Sequence, residues 1–477
     1  MNTADRLKIP PVSMPEQEPS SRIRNVREVP LGFTPAMALR EADRCLHCAQ
    51  APCIRGCPVG IRIPDFIQAL ADGDERTAIG IIKETNLLPA VCGRVCPQEE
   101  QCQKDCTVGK SHGGVALAVQ IGKLERYLAD WEHTQGTTAT PVSPMPTGRT
   151  IAVIGSGPAG LTVAGDLVRL GHSITVFEAL HMPGGVLGYG IPEFRLPKDI
   201  VYAEVAFLSR LGVTFQYNTI VGKSITLDEI RALFDAVFIG SGAGLPSFLN
   251  IPGESLLGVY SANEYLTRAN LMHAYDPEAD TPILRGKAVV VLGGGNVAVD
   301  SARTALRLGA VGVTVLYRRS AQEMPARTEE VHHAVQEGVS FRFLEAPLEV
   351  IGTPEGWVQG VTTQKMALGE PDASGRRRPV PIPGATDHVE ADVVVVAIGS
   401  APNPLIPSAL PDLRVNRDGG VVVNEETMET SVPGIFAGGD IVLGSATVIL
   451  AMGQGRVAAR AIHKRLMGLH GAAPAGG

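Results

Sequence analysis

The 477-residue chain is 44% hydrophobic and 19% charged, with a net charge of −7 at pH 7. That is the profile of a globular protein long enough for several domains, and its acidic balance argues against a broad nucleic-acid surface. Apolar runs stay short of the roughly 18 residues of a membrane span, and the polar start MNTADRLKIPPVSMPEQEPS is no secretory signal, so no membrane span and a cytoplasmic setting, where structural disulfides are rare, are expected.

Residues 1–33 are polar and proline-containing and are expected to form an extended arm. Residues 34–148 read as a helical domain and linker that hold all eight cysteines, from Cys45 to Cys106. A disulfide framework would not be so confined in a long chain, whereas a local cofactor site would be. The spacings are Cys45-x2-Cys48-x4-Cys53-x3-Cys57 and Cys92-x3-Cys96-x5-Cys102-x3-Cys106, with proline after Cys57 and Cys96. Zinc sites usually pair two short cysteine knuckles across a spacer. Here each block holds four, as in runs where one cysteine serves a neighbouring cluster. Eight thiolates suit two [4Fe–4S] clusters. PDFIQALADGDERTAIGIIKET (Pro64–Thr85) has helical spacing broken near Gly73, and VALAVQIGKLERYLADW (Val115–Trp131) reads as one amphipathic helix. The segment from Thr134 to Gly148 is a linker by composition.

Strand–turn–helix grammar then begins. RTIAVIGSGPAGLTVAGDLVRLGHSITVFEA (Arg149–Ala179) is a complete βαβ unit. Gly155 permits the tight turn, Gly157 lets backbone approach a pyrophosphate, and Gly160 packs helix on strand, with Pro158 and Ala159 opening the helix. Glu178 ends the next strand, where its carboxylate can accept hydrogen bonds from both ribose hydroxyls. HMPGGVLGYGIPEFRLPK follows, with Gly184 and Gly185 suited to a second backbone approach and Leu187, Gly190 and Arg195 as further candidates. GIFAGGDIVLGSATVILAMGQGRVAARAI (Gly434–Ile462) ends a strand at Gly439 and Asp440 and opens a helix near Thr447, whose N–H groups can stabilise negative charge.

GSGPAG with Glu178, MPGG, IGSGAG (Ile239–Gly244, with Gly240) and AGGD resemble the two-dinucleotide-domain flavoproteins. The resemblance implies FAD at the first site, with Asp440 near its ribityl or pyrophosphate part.

A second βαβ unit, GKAVVVLGGGNVAVDSARTALRLGAVGVTVLYRRS, runs from Gly286 to Ser320. Gly293, Gly294, Gly295, Asn296 and Val297 form its turn, and Ala298 still permits close packing. The next strand ends in Arg318 and Arg319 instead of an acid. An acid would repel a 2′-phosphate, whereas guanidinium groups pair with it, so NADPH is favoured over NADH. Val393–Ile398 suits a buried parallel strand leading to Gly399. Arg376–Arg378 sit in a glycine–proline loop and read as a solvated hairpin. His332 and His333 fall in a helix without a paired acid or cysteine and read as non-ligands.

The expected fold class is α/β. A helical iron–sulfur domain (34–148) precedes two doubly wound, Rossmann-like domains. The FAD domain is discontinuous, 149–285 with 396–477, around an NADPH domain at 286–395. No cysteine follows Cys106, so the nucleotide domains hold no thiol relay. Electrons must leave the flavin another way, and clusters accept them singly.

The cysteine blocks, LPAVCGRVCPQ (Leu87–Gln98), IGKLERY (Ile121–Tyr127) and both glycine motifs resemble the glutamate synthase small chain family over residues 30–465. The same architecture occurs in the N-terminal half of dihydropyrimidine dehydrogenase and in the large subunit of the electron-bifurcating NADH-dependent ferredoxin:NADP oxidoreductase. The resemblance implies hydride transfer from NADPH to the flavin, with no side-chain acid or base required. Electrons would then pass through the clusters to a second subunit: a large amidotransferase chain, or a smaller flavin subunit and ferredoxin. It implies Cys45, Cys48, Cys53 and Cys106 on one cluster, and Cys57, Cys96 and Cys102 on the other. The fourth ligand of the second is Glu125, with Cys92 as the alternative. A bare cluster scaffold with vestigial nucleotide sites is disfavoured by the intact glycine motifs, Glu178 and the arginine pair.

Overall fold

The two βαβ units each seed a parallel sheet, and the strand order follows from their crossovers. A computed structural model describes residues 1–135, 144–373 and 375–469; residues 136–143 of the expected linker lie outside that range. In chain order the strands are β1 Thr150–Ile154, β2 Ser173–Phe177, β3 Thr214–Gln216, β4 Ala236–Ile239, β5 Leu245–Pro246, β6 Val259–Ser261, β7 Ala288–Leu292 and β8 Gly312–Tyr317. They continue with β9 Ser340–Phe343, β10 Glu345–Gly352, β11 Val358–Pro371, β12 Arg377–Glu390, β13 Val393–Val396, β14 Ser400–Ala401 and β15 Ile435–Ala437.

The first sheet is β15-β4-β1-β2-β3 and the second β6-β13-β7-β8-β9, both parallel. The first is discontinuous in sequence, because β15 returns to β4 after the second sheet is complete. β5 and β14 pair antiparallel where the chain leaves one sheet and comes back. β13 is buried along its whole length between β6 and β7, as a run of valines requires. The second sheet also draws β6 from ahead of the expected 286 boundary and runs to Val396, past the expected 395. β6 is only three residues long, too short to carry a readable period, and is fixed by its pairing with Val394–Val396. A three-stranded antiparallel sheet, β10-β11-β12, projects from the second domain as a long hairpin.

In the cysteine domain, helices Ile63–Ala71 and Glu75–Lys83 are separated at Gly73, whose φ of +78° ends the first. Asp74 caps the second by accepting from the Thr77 N–H at 2.9 Å. The expected helix from Val115 divides: a 3-10 turn covers Val115–Leu117 and the α-helix runs Ile121–Gln135. The buried Arg44 guanidinium takes the Leu117 and Ala118 carbonyls at 2.6 and 2.9 Å, and Gln120 N–H donates to Glu41 at 2.9 Å. Those bonds replace the helical ones. The arm is not free: Arg22 is 1% exposed and its Nε lies 2.7 Å from Glu337 Oε1 in the second nucleotide domain.

One apolar core runs from Ile67, Leu70 and Leu124 of the cysteine domain into Val163, Leu167 and Leu208 of the first nucleotide domain. Glu204, on helix Lys198–Arg210, is buried at that junction and accepts from the Ala90 N–H. Burial pushes its carboxyl up to about 7 from an ordinary 4.5. A folded-state value above the unfolded one gives stability that is present below pH 4.5 and lost as pH rises through 7. Glu204→Gln keeps the shape without the charge. Its melting temperature should exceed that of the wild type at pH 8 and approach it at pH 5.

Candidate functional site

Both glycine turns open onto one cleft of about 1310 Å³. In the first, Gly155 has φ +97°, and a Cβ there would stand 2.6 Å from the Gly240 carbonyl oxygen. At Gly160 a Cβ would stand 2.0 Å from Gly155 O, so this glycine is the close-packing one. A Cβ at Gly157 or Gly295 would meet nothing within 4 Å, leaving the backbone open for a pyrophosphate. Gly294 lies against the Tyr317 ring, 2.4 Å from where its Cβ would be. Helices Pro158–Val168 and Asn296–Arg307 start at these turns and point their free N–H groups into the cleft.

Glu178 is more committed than its position in the motif implied. It accepts from Ser156 N–H at 2.9 Å, Ser156 Oγ at 2.5 Å and Leu180 N–H at 2.8 Å. Three of roughly four acceptor positions are thus taken, so it braces the turn and has one position left for a ribose hydroxyl. Ser156 Oγ in turn accepts from Gly184 N–H at 2.9 Å, tying the MPGG segment to the first turn. Gly185, Gly190, Gly240, Gly399, Gly439, Asp440 and Thr447 line the cleft with Pro158, Ala159, Asn296 and Val297. Leu187 is fully buried behind it. Burial raises the Asp440 carboxyl to about 6. Thr447 caps helix Val448–Leu466 by accepting from Leu450 N–H at 3.3 Å, and it accepts from Gln101 Nε2 at 3.3 Å.

Three arginines differ from expectation. Arg195 lines the cleft, but its guanidinium is held by Asp300 at 2.6 Å and Glu330 at 3.2 Å across the two nucleotide domains. Arg319 gives two donors to the hairpin, at 2.7 Å to Asp372 Oδ2 and 2.9 Å to Arg377 O. Arg376 lines the cleft beside Arg318, so the solvated-hairpin reading suits exposed Arg378 but not Arg376. Sequence reading gave Tyr189, Val95, Pro97 and Asn263 no place in the cleft lining, although the first three lie inside the stretches HMPGGVLGYGIPEFRLPK and LPAVCGRVCPQ; no motif singles out Asn263.

The cysteines fall into two groups. The Cys45 thiol is pushed up to about 11 by burial and then by Cys106 and Cys48, and Cys53 up to about 12 by burial and then by Cys45 and Cys106. Cys102 is pushed well up by burial, then by Cys57, Glu125 and Cys96; Cys57 likewise feels Glu125 and Cys96 after burial. Cys53 also raises the Cys102 thiol, so the two sets of cysteines lie within electrostatic reach of each other. Glu125 is buried, its carboxyl raised to about 8 by burial, and it accepts from Asn86 Nδ2 at 2.6 Å. Cys92 is 1% exposed, beside Cys96, and packs at 3.6 Å on Met452 Sδ. Among the described residues no three such side chains close at single-ion spacing. Thiolates are the donors that iron–sulfur clusters take, so the residue types gathered in this domain suit such a group. Residues Val95 and Pro97, flanking Cys96, form part of the cleft wall. Cys48 lies at the surface, 3.2 Å from exposed Thr107 Oγ1.

Residues 22–137 match the family described as dihydropyrimidine dehydrogenase domain II, 4Fe-4S cluster, and residues 149–455 match pyridine nucleotide-disulphide oxidoreductase. The glutamate synthase [NADPH] small chain of Halomonas elongata is 39% identical over 94% of this chain and 95% of its own. The chain belongs to the glutamate synthase small chain family. A second relative, the NADP(+)-dependent formate dehydrogenase subunit beta of Moorella thermoacetica, is 40% identical over 87% of this chain, which spans 60% of that longer protein. Mycobacterium tuberculosis FprA in complex with NADPH shares the fold, with a TM-score of 0.57 at 22% identity over 67% of this chain and 85% of that one. The front domain is thus of the 4Fe-4S kind and the nucleotide domains follow it. No helix among the described residues is long and apolar enough to cross a membrane.

Glu178→Ala removes both a ribose acceptor and the brace on Ser156. The purified variant should carry less than a tenth of the wild-type flavin per chain, by about 1.4 kcal/mol per factor of ten, as read from the visible flavin absorbance after denaturation.

Proposed function

We propose that this chain is an NADPH-dependent FAD and iron–sulfur oxidoreductase that exchanges electrons with a second subunit, as a glutamate synthase small chain-like module of the cytoplasm. One observation carries it: the cleft that both glycine turns share is walled by Val95 and Pro97, the neighbours of Cys96, while no cysteine follows Cys106. When bound, FAD takes up electrons in pairs and releases them singly, and two [4Fe–4S] clusters carry them singly.

This chain's residues supply orientation and a graded path. The glycine turns and their helix N-termini hold the two pyrophosphates. The N-terminus of helix Val448–Leu466, capped by Thr447, faces the cleft and favours negative charge there. Cys57, Cys96 and Cys102, with Glu125, make the inner ligand set, and the N–H groups of Val59 and Ile61 donate to the Cys57 sulfur. Cys45, Cys48, Cys53 and Cys106 make the outer set. Cys92, packed on Met452, is not a ligand in this reading. Cys92→Ala should keep both clusters, and Glu125→Ala should change the electron paramagnetic resonance of one. The reverse pattern would reassign the fourth ligand to Cys92.

The partner would dock over the outer set. Lys104, Lys110 and Arg55 surround Asp105 there, with Val115 and Leu117 exposed nearby. A basic rim on an acidic chain suits an acidic electron-transfer surface. The native complex, isolated by a tag on this chain, should reduce ferricyanide with NADPH and contain a second polypeptide that carbodiimide joins to Lys104 or Lys110. A very large second chain supports the glutamate synthase reading. The Moorella relative's name favours a second reading, in which the same module serves another complex such as a bifurcating transhydrogenase; a flavin protein near 30 kDa would support it. Absence of NADPH-driven reduction would reject both.

A further inference from the structure

The corner of the cleft beyond β8 is built by two segments far apart in sequence. One is the strand-end loop Tyr317–Glu323; the other is the turn of the β11–β12 hairpin, Asp372–Arg377. Three side-chain contacts clamp them together, and two more brace the loop itself. Arg319 donates to Asp372 Oδ2 at 2.7 Å and to the Arg377 carbonyl at 2.9 Å. Arg377 Nε donates back to Glu323 Oε1 at 2.7 Å, and Glu323 also accepts from Ser320 Oγ. Tyr317 Oη fixes the loop from below through the Glu323 carbonyl at 2.8 Å. The turn itself closes with Asp372 N–H on Arg376 O at 2.8 Å and Gly375 N–H on Asp372 O at 2.9 Å.

This clamp has two consequences. Arg319, 8% exposed in its side chain, is occupied in holding the hairpin. Arg376, next in sequence to the Arg377 that Arg319 holds, lines the same cleft as the exposed Arg318. Of the acids there, Asp372 and Glu323 are met by Arg319 and Arg377, and Glu345 of the cleft lining by Lys365 at 2.5 Å and Arg342 at 3.0 Å. A dianionic group at the end of β8 thus meets two guanidinium groups from different segments, a geometry suited to bidentate capture of phosphate.

We infer that the 2′-phosphate of NADPH is received between Arg318 and Arg376, and that Arg319 is a positioning residue that holds the hairpin bearing Arg376. The inference rests on the NADPH reading above and divides the work of the two strand-end arginines. The β10–β12 sheet then contributes to donor specificity, a role its exposed, solvent-facing β12 does not suggest.

The test is steady-state kinetics of the intact holoenzyme with ferricyanide as acceptor and NADPH or NADH as donor. Arg376→Ala should raise the KM for NADPH roughly tenfold or more, as loss of one charge-assisted contact does, and raise the KM for NADH far less. Arg376→Lys should recover part of the loss, and Arg378→Ala, outside the cleft, should change nothing. Asp372→Asn separates positioning from charge. Removing an acid near a phosphate should by Coulomb's law alone lower the KM for NADPH, whereas loosening the clamp should raise it. An unchanged NADPH KM in Arg376→Ala, an equal rise for NADPH and NADH, or a lowered NADPH KM in Asp372→Asn would overturn the inference. A wild-type enzyme with no preference for NADPH would instead reject the reading on which it rests.

Discussion

A chain of buried charges fixes the relation between the parts of this protein. Arg22 of the N-terminal arm meets Glu337; Glu337 meets Arg303 at 2.7 Å and Arg307 at 2.8 Å; Arg303 meets Glu330; and Glu330 meets Arg195, which also holds Asp300. These groups come from the arm, the second nucleotide domain and the GYGIPEFR segment of the first. Burying so many ions is expensive, and it is tolerated only when each has a partner. Removing one would leave a charge uncompensated at about 3–5 kcal/mol. The domains therefore have one permitted orientation, the one in which every charge is met. Arg303 and Arg307 also stack over the Phe194 ring at 4.6 and 3.9 Å, which adds shape to the charge matching. A cleft shared by two glycine turns has a useful shape only if the sheets that carry them cannot slide.

Much of this was legible in the sequence because each glycine has a local duty. Gly155, Gly157 and Gly160 serve turn, approach and packing at fixed spacing, and nothing distant alters those needs. The cysteine spacing likewise pointed to iron–sulfur chemistry in the front domain. What the sequence concealed is long-range pairing of arginines. Arg195 and Arg319 stand where a ligand contact is plausible, but Asp300 and Asp372 arrive from distant segments and take their donors. Arg376 carried the opposite signal: a loop of glycine and proline reads as solvated until Arg319 and Glu323 draw its base inward. The helix expected from Val115 failed for the same reason, since Arg44 captured the carbonyls that would have continued it. The β6 strand was too short to show a period and exists because β13 needs a neighbour.

Burial grades the cysteine domain from inside to outside. Cys92, Cys96 and Cys102 are buried, whereas Cys45, Cys48, Cys53, Cys57 and Cys106 are partly open. The inner set lies behind the cleft wall, and the outer set reaches Thr107 and the basic rim. Under the proposed ligand sets, a more buried site and a wetter one would differ in how strongly they resist added charge.

Helix Val448–Leu466 links that gradient to the cleft. Its first turn, capped by Thr447, faces the cleft and is bonded by Gln101, the residue before Cys102. One turn on, Met452 packs against Cys92, and Gly453 admits the Pro58 carbonyl, with a Cβ there only 3.1 Å from it. Further along, Gly455 lets the helix close on Ala159 of the first glycine turn, 2.7 Å from where its own Cβ would be. Small residues are required wherever this helix touches another backbone. A single rigid element thus touches the flavin turn, the cleft and the inner cysteine set. Its position cannot shift at one of these without shifting at the others, so the spacing between the cleft and the cysteine segments is set by helix packing.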